Sequence, residues 1–387
     1  MKKALIGTSA LIAVGLLTAQ GAQAADAISL GIGGNYRVLG GFVNQDDGTG
    51  ESVNGARDHG IGTDGQINFR GSTTLDNGIE VGVRIDLEAQ AGTTVTDTID
   101  EHYIWIENTD VWGRIEMGDR DGADNKMNVL APFVFGSAIV GVQTIMLASA
   151  PGSAGGSAFA STNSAAVPIV VPGLSGDSTK ITYYTPRFSG VQLGISYTPE
   201  SAEDRGAAFG TAIGGTDTTA GDSSEILELG ANWNGKLGEA SVRASATYAK
   251  GNTEVAAGTS RNDQDEWTVA ASASMMGWAF GAQYQNGETN GTALSTTQER
   301  DDIEWRAGLT YSTGPWLLGL EYASREVEVS ATGEDSVEIW GLGAKRTLGP
   351  GVTAGLGIHL WSWEDDLNAA ASENDATEIF FVTEISF

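Results

Sequence analysis

Four arginines in the first third of the chain, Arg37, Arg70, Arg84 and Arg114, precede a group of carboxylates, Asp119, Asp121 and Asp124. Fixed charges of both signs can act together on a charged solute, and where water is scarce their fields are strong. The local alternative is pairing within a segment, Arg84 with Asp86 and Arg114 with Glu116. Enzyme chemistry has less to work with. The three histidines, His59, His102 and His359, are far apart, and neither H-x-x-x-H nor H-E-x-x-H occurs. There is no G-x-S-x-G elbow and no Walker loop. Gly31-Ile32-Gly33-Gly34 lies in a strand pattern without the helix a dinucleotide site requires. The absence of cysteine excludes disulfides, thiolate catalysis and Cys-based metal centres. No enzyme, no catalytic residue and no protein-built metal site is expected.

The elements that carry these charges read as strands. Ile79, Val81, Val83, Ile85 and Leu87 alternate with Glu80, Gly82, Arg84, Asp86 and Glu88. The stretches 267–275, 303–311 and 352–360 repeat the pattern, each with one apolar face and one polar or small face. Short connections at 76–78, 108–113, 188–190, 234–238, 276–277, 313–315 and 348–351 carry mostly tight-turn sequences. They take turns with longer polar ones at 44–62, 92–98, 119–177, 199–222, 251–263, 286–299, 329–335 and 364–375. Seven short and eight long connections divide sixteen strands. An even count with tight turns at one end and long loops at the other predicts an all-β fold, a transmembrane antiparallel up-and-down β-barrel. A secreted β-rich surface or adhesin protein is the alternative of another class. It would bury its apolar faces between two sheets, without this two-ended asymmetry.

Two further patterns belong to that barrel. Trp278/Tyr284, Trp305/Tyr311 and Trp316/Tyr322 are each six residues apart on the apolar face. That separation is roughly 15 Å along the membrane normal, short of the ~25 Å lipid band, so the pairs need not mark both of its edges. Glycine, with 54 residues, is about twice its ordinary share. Gly82, Gly194, Gly281, Gly308, Gly319, Gly355 and Gly357 fall on the inward parity, where a missing side chain is expected to leave lumen space or to ease curvature.

Residues 1–24 combine Lys2 and Lys3, an apolar run from Leu11 to Leu17 and Ala22-Gln23-Ala24. This is the pattern of a cleaved signal peptide, leaving a barrel at 25–387. Removing the two lysines takes the formal charge from −29 to −31. Such a balance argues against nucleic-acid binding.

The chain resembles the general porins of Gram-negative outer membranes, especially the alphaproteobacterial kind. The resemblance rests on Phe69-Arg70-Gly71-Ser72-Thr73-Thr74-Leu75-Asp76-Asn77-Gly78 and on Trp112-Gly113-Arg114-Ile115-Glu116-Met117-Gly118-Asp119-Arg120-Asp121-Gly122-Ala123, and it covers nearly all of the chain after residue 24. It implies an outer-membrane homotrimer in contact with lipid, each monomer enclosing a water-filled channel for passive diffusion. The second stretch resembles strand 5 running into a loop 3 (119–177) that folds inward. In such porins loop carboxylates face wall arginines across a constriction. By resemblance, Asp119, Asp121 and Asp124 are the acidic side and Arg37, Arg70, Arg84 and Arg114 the basic wall. The last strand places Ile379, Phe381, Ile385 and Phe387 on one face. A terminal Phe there resembles the signal read by the barrel-assembly machinery, with Thr383 departing from the apolar pattern.

Residues 127–150 are apolar enough to suggest a helix, but Asn128, Pro132 and Gln143 interrupt the run. A segment packed on an inner wall suits it better than one crossing lipid. Acidic residues gather in the long loops, among them Asp46, Asp47, Glu203, Asp204, Asp365 and Asp366. They could bind Ca²⁺, although no EF-hand or RTX spacing is present. No cofactor is expected. A substrate-selective channel for a sugar or organic anion stays open as an alternative. An inward ladder of aromatics would favour a sugar, and Tyr184 and Trp361 are its candidates.

Overall fold

The period-two segments form strands throughout a computed structural model that describes residues 27–45, 58–89, 99–135, 172–201, 223–254, 263–288, 301–330, 333–365 and 373–387. The strands are β1 Ser29–Gln45, β2 His59–Thr74, β3 Glu80–Glu88, β4 Ile99–Asn108, β5 Gly113–Asp119, β6 Thr179–Tyr184, β7 Val191–Glu200 and β8 Ser223–Leu237. They continue as β9 Ala240–Thr253, β10 Gln264–Met275, β11 Trp278–Glu288, β12 Asp301–Thr313, β13 Trp316–Ser330, β14 Gly333–Gly349, β15 Val352–Asp365 and β16 Glu373–Ser386. Each pairs antiparallel with its sequence neighbour, and β1 pairs with β16, closing a sixteen-strand barrel. The closure reaches the terminal residue, because Phe387 and Gly34 exchange backbone hydrogen bonds of 3.0 Å in both directions. The proposed signal peptide lies outside the described residues.

Turn chemistry sets the register. At Met276-Gly277 both residues have positive φ, 52° and 86°. That backbone matches the right-handed twist of the flanking strands, and glycine takes it without a Cβ clash. The long connections are shorter than the sequence pattern implies. β13 and β14 run on to Ser330 and Gly333 through Arg325-Glu326-Val327-Glu328, because the backbone ladder tolerates polar side chains once the strand leaves lipid.

The barrel is inside-out relative to a water-soluble fold. Leu30, Ile61, Leu342 and Leu356 point outward and are 62–76% exposed, while Glu228, Gln283, Glu304 and Arg306 point inward and are buried. Outward aromatics form two rows. Trp267, Tyr284 and Trp305 contact in sequence across β10–β12, with Tyr322 and Trp340 meeting on β13 and β14, at the loop side. Trp278 meets Tyr311 at the turn side, 4.5 Å between ring centres. The six-residue pairs therefore contribute one member to each row, as in the interfacial girdles of membrane barrels. No helix among the described residues is long and apolar enough to cross a membrane.

The inner wall is not uniformly polar. Leu39, Val43, Val337, Ile339, Trp361, Trp363, Phe380 and Val382 form a buried apolar cluster on β1 and β14–β16, against which Phe135 packs.

Candidate functional site

After β5 the chain turns into the barrel. Helix α1, Ala123–Met127, buries Ala123, Asp124 and Met127 against the wall. Ser196 accepts from the Ala123 amide at 2.7 Å, and Ser245 accepts from the Val129 amide at 2.8 Å. The strip from α1 to Phe135 then follows inward glycines from strand to strand. A Cβ on Gly194 or Gly230 would meet Ala123 and Met127; on Gly281 or Gly308, Pro132; on Gly319, Val134; on Gly343 or Gly355, Phe135. Nine extended residues reach about 30 Å, close to seven inter-strand steps of ~4.8 Å. The expectation that these glycines open lumen space is corrected: the loop fills it. Gly82 and Gly357 are filled as well, by Trp105 and Phe380. The rest of the proposed loop 3, 136–171, lies outside the described residues, and its last part, 172–177, leads into β6.

The strip covers β7–β15, leaving the inner face of β2–β5 as the wall opposite. That wall is built on two buried aromatics of β4. Trp105 is flanked by Arg70 at 4.6 Å and Arg114 at 5.0 Å, and its indole N–H donates to Glu80 at 3.1 Å. Arg120 lies over Tyr103 at 4.2 Å. Such stacking holds guanidinium groups flat on the wall while leaving their charge in place.

Carboxylates answer each arginine on the wall itself. Arg84 donates from Nε to both oxygens of Asp86 at 2.8 Å, and Asp86 is 1% exposed. Arg114 reaches Glu116 at 2.5 Å and Glu107 at 2.9 Å, and Arg120 shares Glu116 at 3.3 Å. Arg37 pairs with Asp64 at 2.5 Å on β1–β2, away from the Trp105 group. Arg70 is the most exposed of the four, with Glu80 at 3.5 Å. The short-range pairing of Arg84 with Asp86 and Arg114 with Glu116 is thus what the geometry shows.

The three aspartates separate. Asp119 ends β5 on the outward parity of Ile115 and Met117, accepting from Thr179 with His102 at 3.7 Å. Its strand runs one residue further than the sequence pattern implied, so strand parity rather than loop position decides where it points. Asp124 is fully buried between α1 and the wall. Burial, with Glu228 and Glu266 beside it, raises its carboxyl well above the usual range. Glu266 also accepts from the Gly173 amide at 2.9 Å and Glu228 accepts from Ser175, so both ends of loop 3 are tied to one carboxylate pair. Only Asp121 joins a lumenal charge group. Its oxygens accept from Lys126 at 2.8 Å and Asn125 at 3.0 Å, and Lys126 also reaches Glu101 at 3.2 Å. Glu101, Asp121 and Asp177 are close enough to share a cation. The Lys126 ammonium already serves two of them.

Asp177 carries a pH dependence. Burial, then Asp121 and Glu101, push its carboxyl up to about 7 from 3.8. The shift is upward, so its contribution to stability is complete below pH 3.8 and lost as pH rises through 7. One further lumenal negative charge appears over the same range. Reversal potentials in a KCl gradient should move towards cations between pH 6 and 8, about one pH unit either side of the titration. Asp177→Asn should flatten that movement, and an unchanged slope would remove Asp177 from the conducting path.

Reading charges in sequence order misses Glu80, Arg120 and Lys126, which join the site through register and the turn into α1, and it passes over the aromatics Tyr103 and Trp105 altogether. The signal for the two aromatics is the alternation in His102-Tyr103-Ile104-Trp105-Ile106, which sets both inward. Tyr184 packs on Met127 and Ala123, and Trp361 stacks on Trp363 within the apolar cluster, so neither presents an open face to a sugar. His359 is held at 3.0 Å by both Glu378 and Glu321. The acidic loop residues Asp46, Asp47, Glu203, Asp204 and Asp366 lie outside the described residues.

Comparison with solved structures returns barrels of the same build. An anion-selective porin from Comamonas acidovorans has a TM-score of 0.61 at 14% identity, covering 93% of this chain and all of that one. OmpT of Vibrio cholerae, in its trimer form, gives 0.58 at 11% over 94% and 100%. The outer-membrane channel DcaP of Acinetobacter baumannii gives 0.59 at 12% over 93% and 98%. At such identities the likeness is one of fold. No curated protein sequence matches the chain. The sequence profile described as Gram-negative porin, however, matches residues 7–359. With a closed barrel, an apolar outer face and a charged inner wall around an inward strip, the chain belongs to the Gram-negative porin family.

Proposed function

We propose that the protein is a homotrimeric outer-membrane channel that passes ions and small hydrophilic solutes by diffusion, without cofactor, catalysis or energy coupling. The observation that carries this is the closed barrel with lipid-suited residues outside and paired charges inside. A secreted adhesin has no use for exposed Ile32, Ile104, Leu193, Phe280 and Leu356, which lie on strands spaced around the circumference.

The trimer contact follows from strand length. β5 has seven residues and β6 has six, fewer than the ~9–11 needed to cross lipid. No Trp points outward from β1–β7 among the described residues, whereas β10–β14 carry the girdles. The short arc around Ile104, Ile115 and Ile181 is therefore the face that other copies cover. Phe387, 68% exposed beside β1, is the terminal residue presented to the assembly machinery. The buried Tyr184 and Trp361 speak against a sugar slide, and His359, engaged by two carboxylates, against a hydrolase.

Purified trimers added to a planar bilayer should give stepwise, ohmic conductance increments in KCl. Absence of steps from correctly folded, heat-modifiable protein would overturn the channel reading.

A further inference from the structure

Beneath the strip, at the turn end of the lumen, a cavity of about 660 Å³ opens between the β4–β5 turn and β9. Its size is that of a small-molecule site. In a chain of formal charge −29 its lining is opposite in sign. Arg114, Arg120, Lys126, Arg187 and Arg243 face it, against Asp110 and Glu116.

Three of these cations are engaged by carboxylates: Arg114 and Arg120 by Glu116, Lys126 by Asp121 and Glu101. Arg187 and Arg243 are not, among the described residues. Arg187 is steered by neutral acceptors only, the Gly190 carbonyl at 2.6 Å and the Gln192 amide oxygen at 2.7 Å. Those bonds fix the side chain at the rim and leave its charge uncompensated. Arg243 stands opposite Asn234 in the β8–β9 register, on the face shared with Ser245 and Thr247, and is exposed. Of the neutral lining, Gln192 already donates to the Thr185 carbonyl at 3.1 Å and Asn232 to the Met127 carbonyl at 3.2 Å, each with one amide hydrogen to spare, and Asn234 adds a further amide.

We propose that this cavity is a recognition subsite for small organic anions bearing carboxylate or phosphate groups, with Arg187 and Arg243 as its two charge-bearing forks. Guanidinium forks match the paired oxygens of such groups, and amides complete their remaining acceptor sites. The place of the subsite, on the turn side of the strip, makes it one-sided. An anion reaches it directly from the turn end, and from the loop end only after passing the strip. The inference rests on the lumen being the conducting path, as proposed above.

The test is block of single-channel current in 0.1 M KCl, with citrate or inorganic phosphate added to one side at a time and block normalised to each channel's own open current. Citrate at the turn side should interrupt the current at low millimolar concentration, the range for a few exposed charge contacts. From the loop side the half-blocking concentration should be several-fold higher. Arg187→Gln with Arg243→Gln should raise the turn-side value about tenfold and abolish the asymmetry. Arg187→Lys with Arg243→Lys keeps the charge without the fork and should give an intermediate value. Channels that conduct but show no sided block, or whose block is the same in the Gln pair, overturn the subsite alone. No conducting steps at all would overturn the channel reading and the subsite with it.

Discussion

Gly308→Val is expected to push loop 3 off the inner wall. A Cβ at 308 would overlap the Pro132 carbonyl oxygen and crowd the Phe133 ring, and the carbonyl is backbone that cannot rotate aside. Overpacking of this kind costs on the order of 1–3 kcal/mol. The strip can avoid that cost only by moving into the open lumen. Single-channel conductance should therefore fall by about half or become unstable between levels, while a barrel held by its strand ladder still assembles. Gly349→Val is the matched control, since nothing lies within 4 Å of a Cβ there. Equal conductance for the two variants would show that the strip does not border the path.

The second large effect separates two arginines that look alike in sequence. Arg84→Gln leaves Asp86, 1% exposed, without the guanidinium that engages both its oxygens. Stranding a buried carboxylate costs about 3–5 kcal/mol, which denaturant unfolding in detergent micelles should register as an early midpoint. Arg70→Gln should do nearly the reverse. Its side chain is 57% exposed and its partner Glu80 lies at 3.5 Å, so stability should change by less than about 1 kcal/mol. Its charge faces the lumen, however, and its loss should move the reversal potential towards cations. Equal stability of Arg84→Gln and Arg70→Gln would show that the Arg84–Asp86 pair does not hold the wall together.

Strand number, turn positions and facing were legible because they depend on neighbours in sequence. Ile79 to Glu88 shows its two faces by alternation alone, and Met276-Gly277 announces its hairpin. What was not legible depends on register across strands. Arg37 meets Asp64 and Arg114 meets Glu107 because antiparallel pairing sets those positions opposite one another, and nothing local to either residue says so. The sorting of the aspartates failed for a related reason. Asp119 belongs to a strand, Asp124 to the wall-facing side of a one-turn helix, and only Asp121 turns to the lumen group. The glycines were read correctly as inward. Sequence alone allows lumen space or eased curvature at these positions, and most of them are instead the footprint of a chain segment more than a hundred residues away.

That footprint also orders events in time. The strip follows β5 directly, yet its last seat, under Phe135, is made by Gly343 and Gly355, which lie more than two hundred residues further along the chain. Until β14 and β15 have joined the sheet there is nothing for Phe135 to lie against. An unfinished barrel is therefore an unfitted one, and the narrowing of the passage comes late, as a product of closure rather than a guide to it.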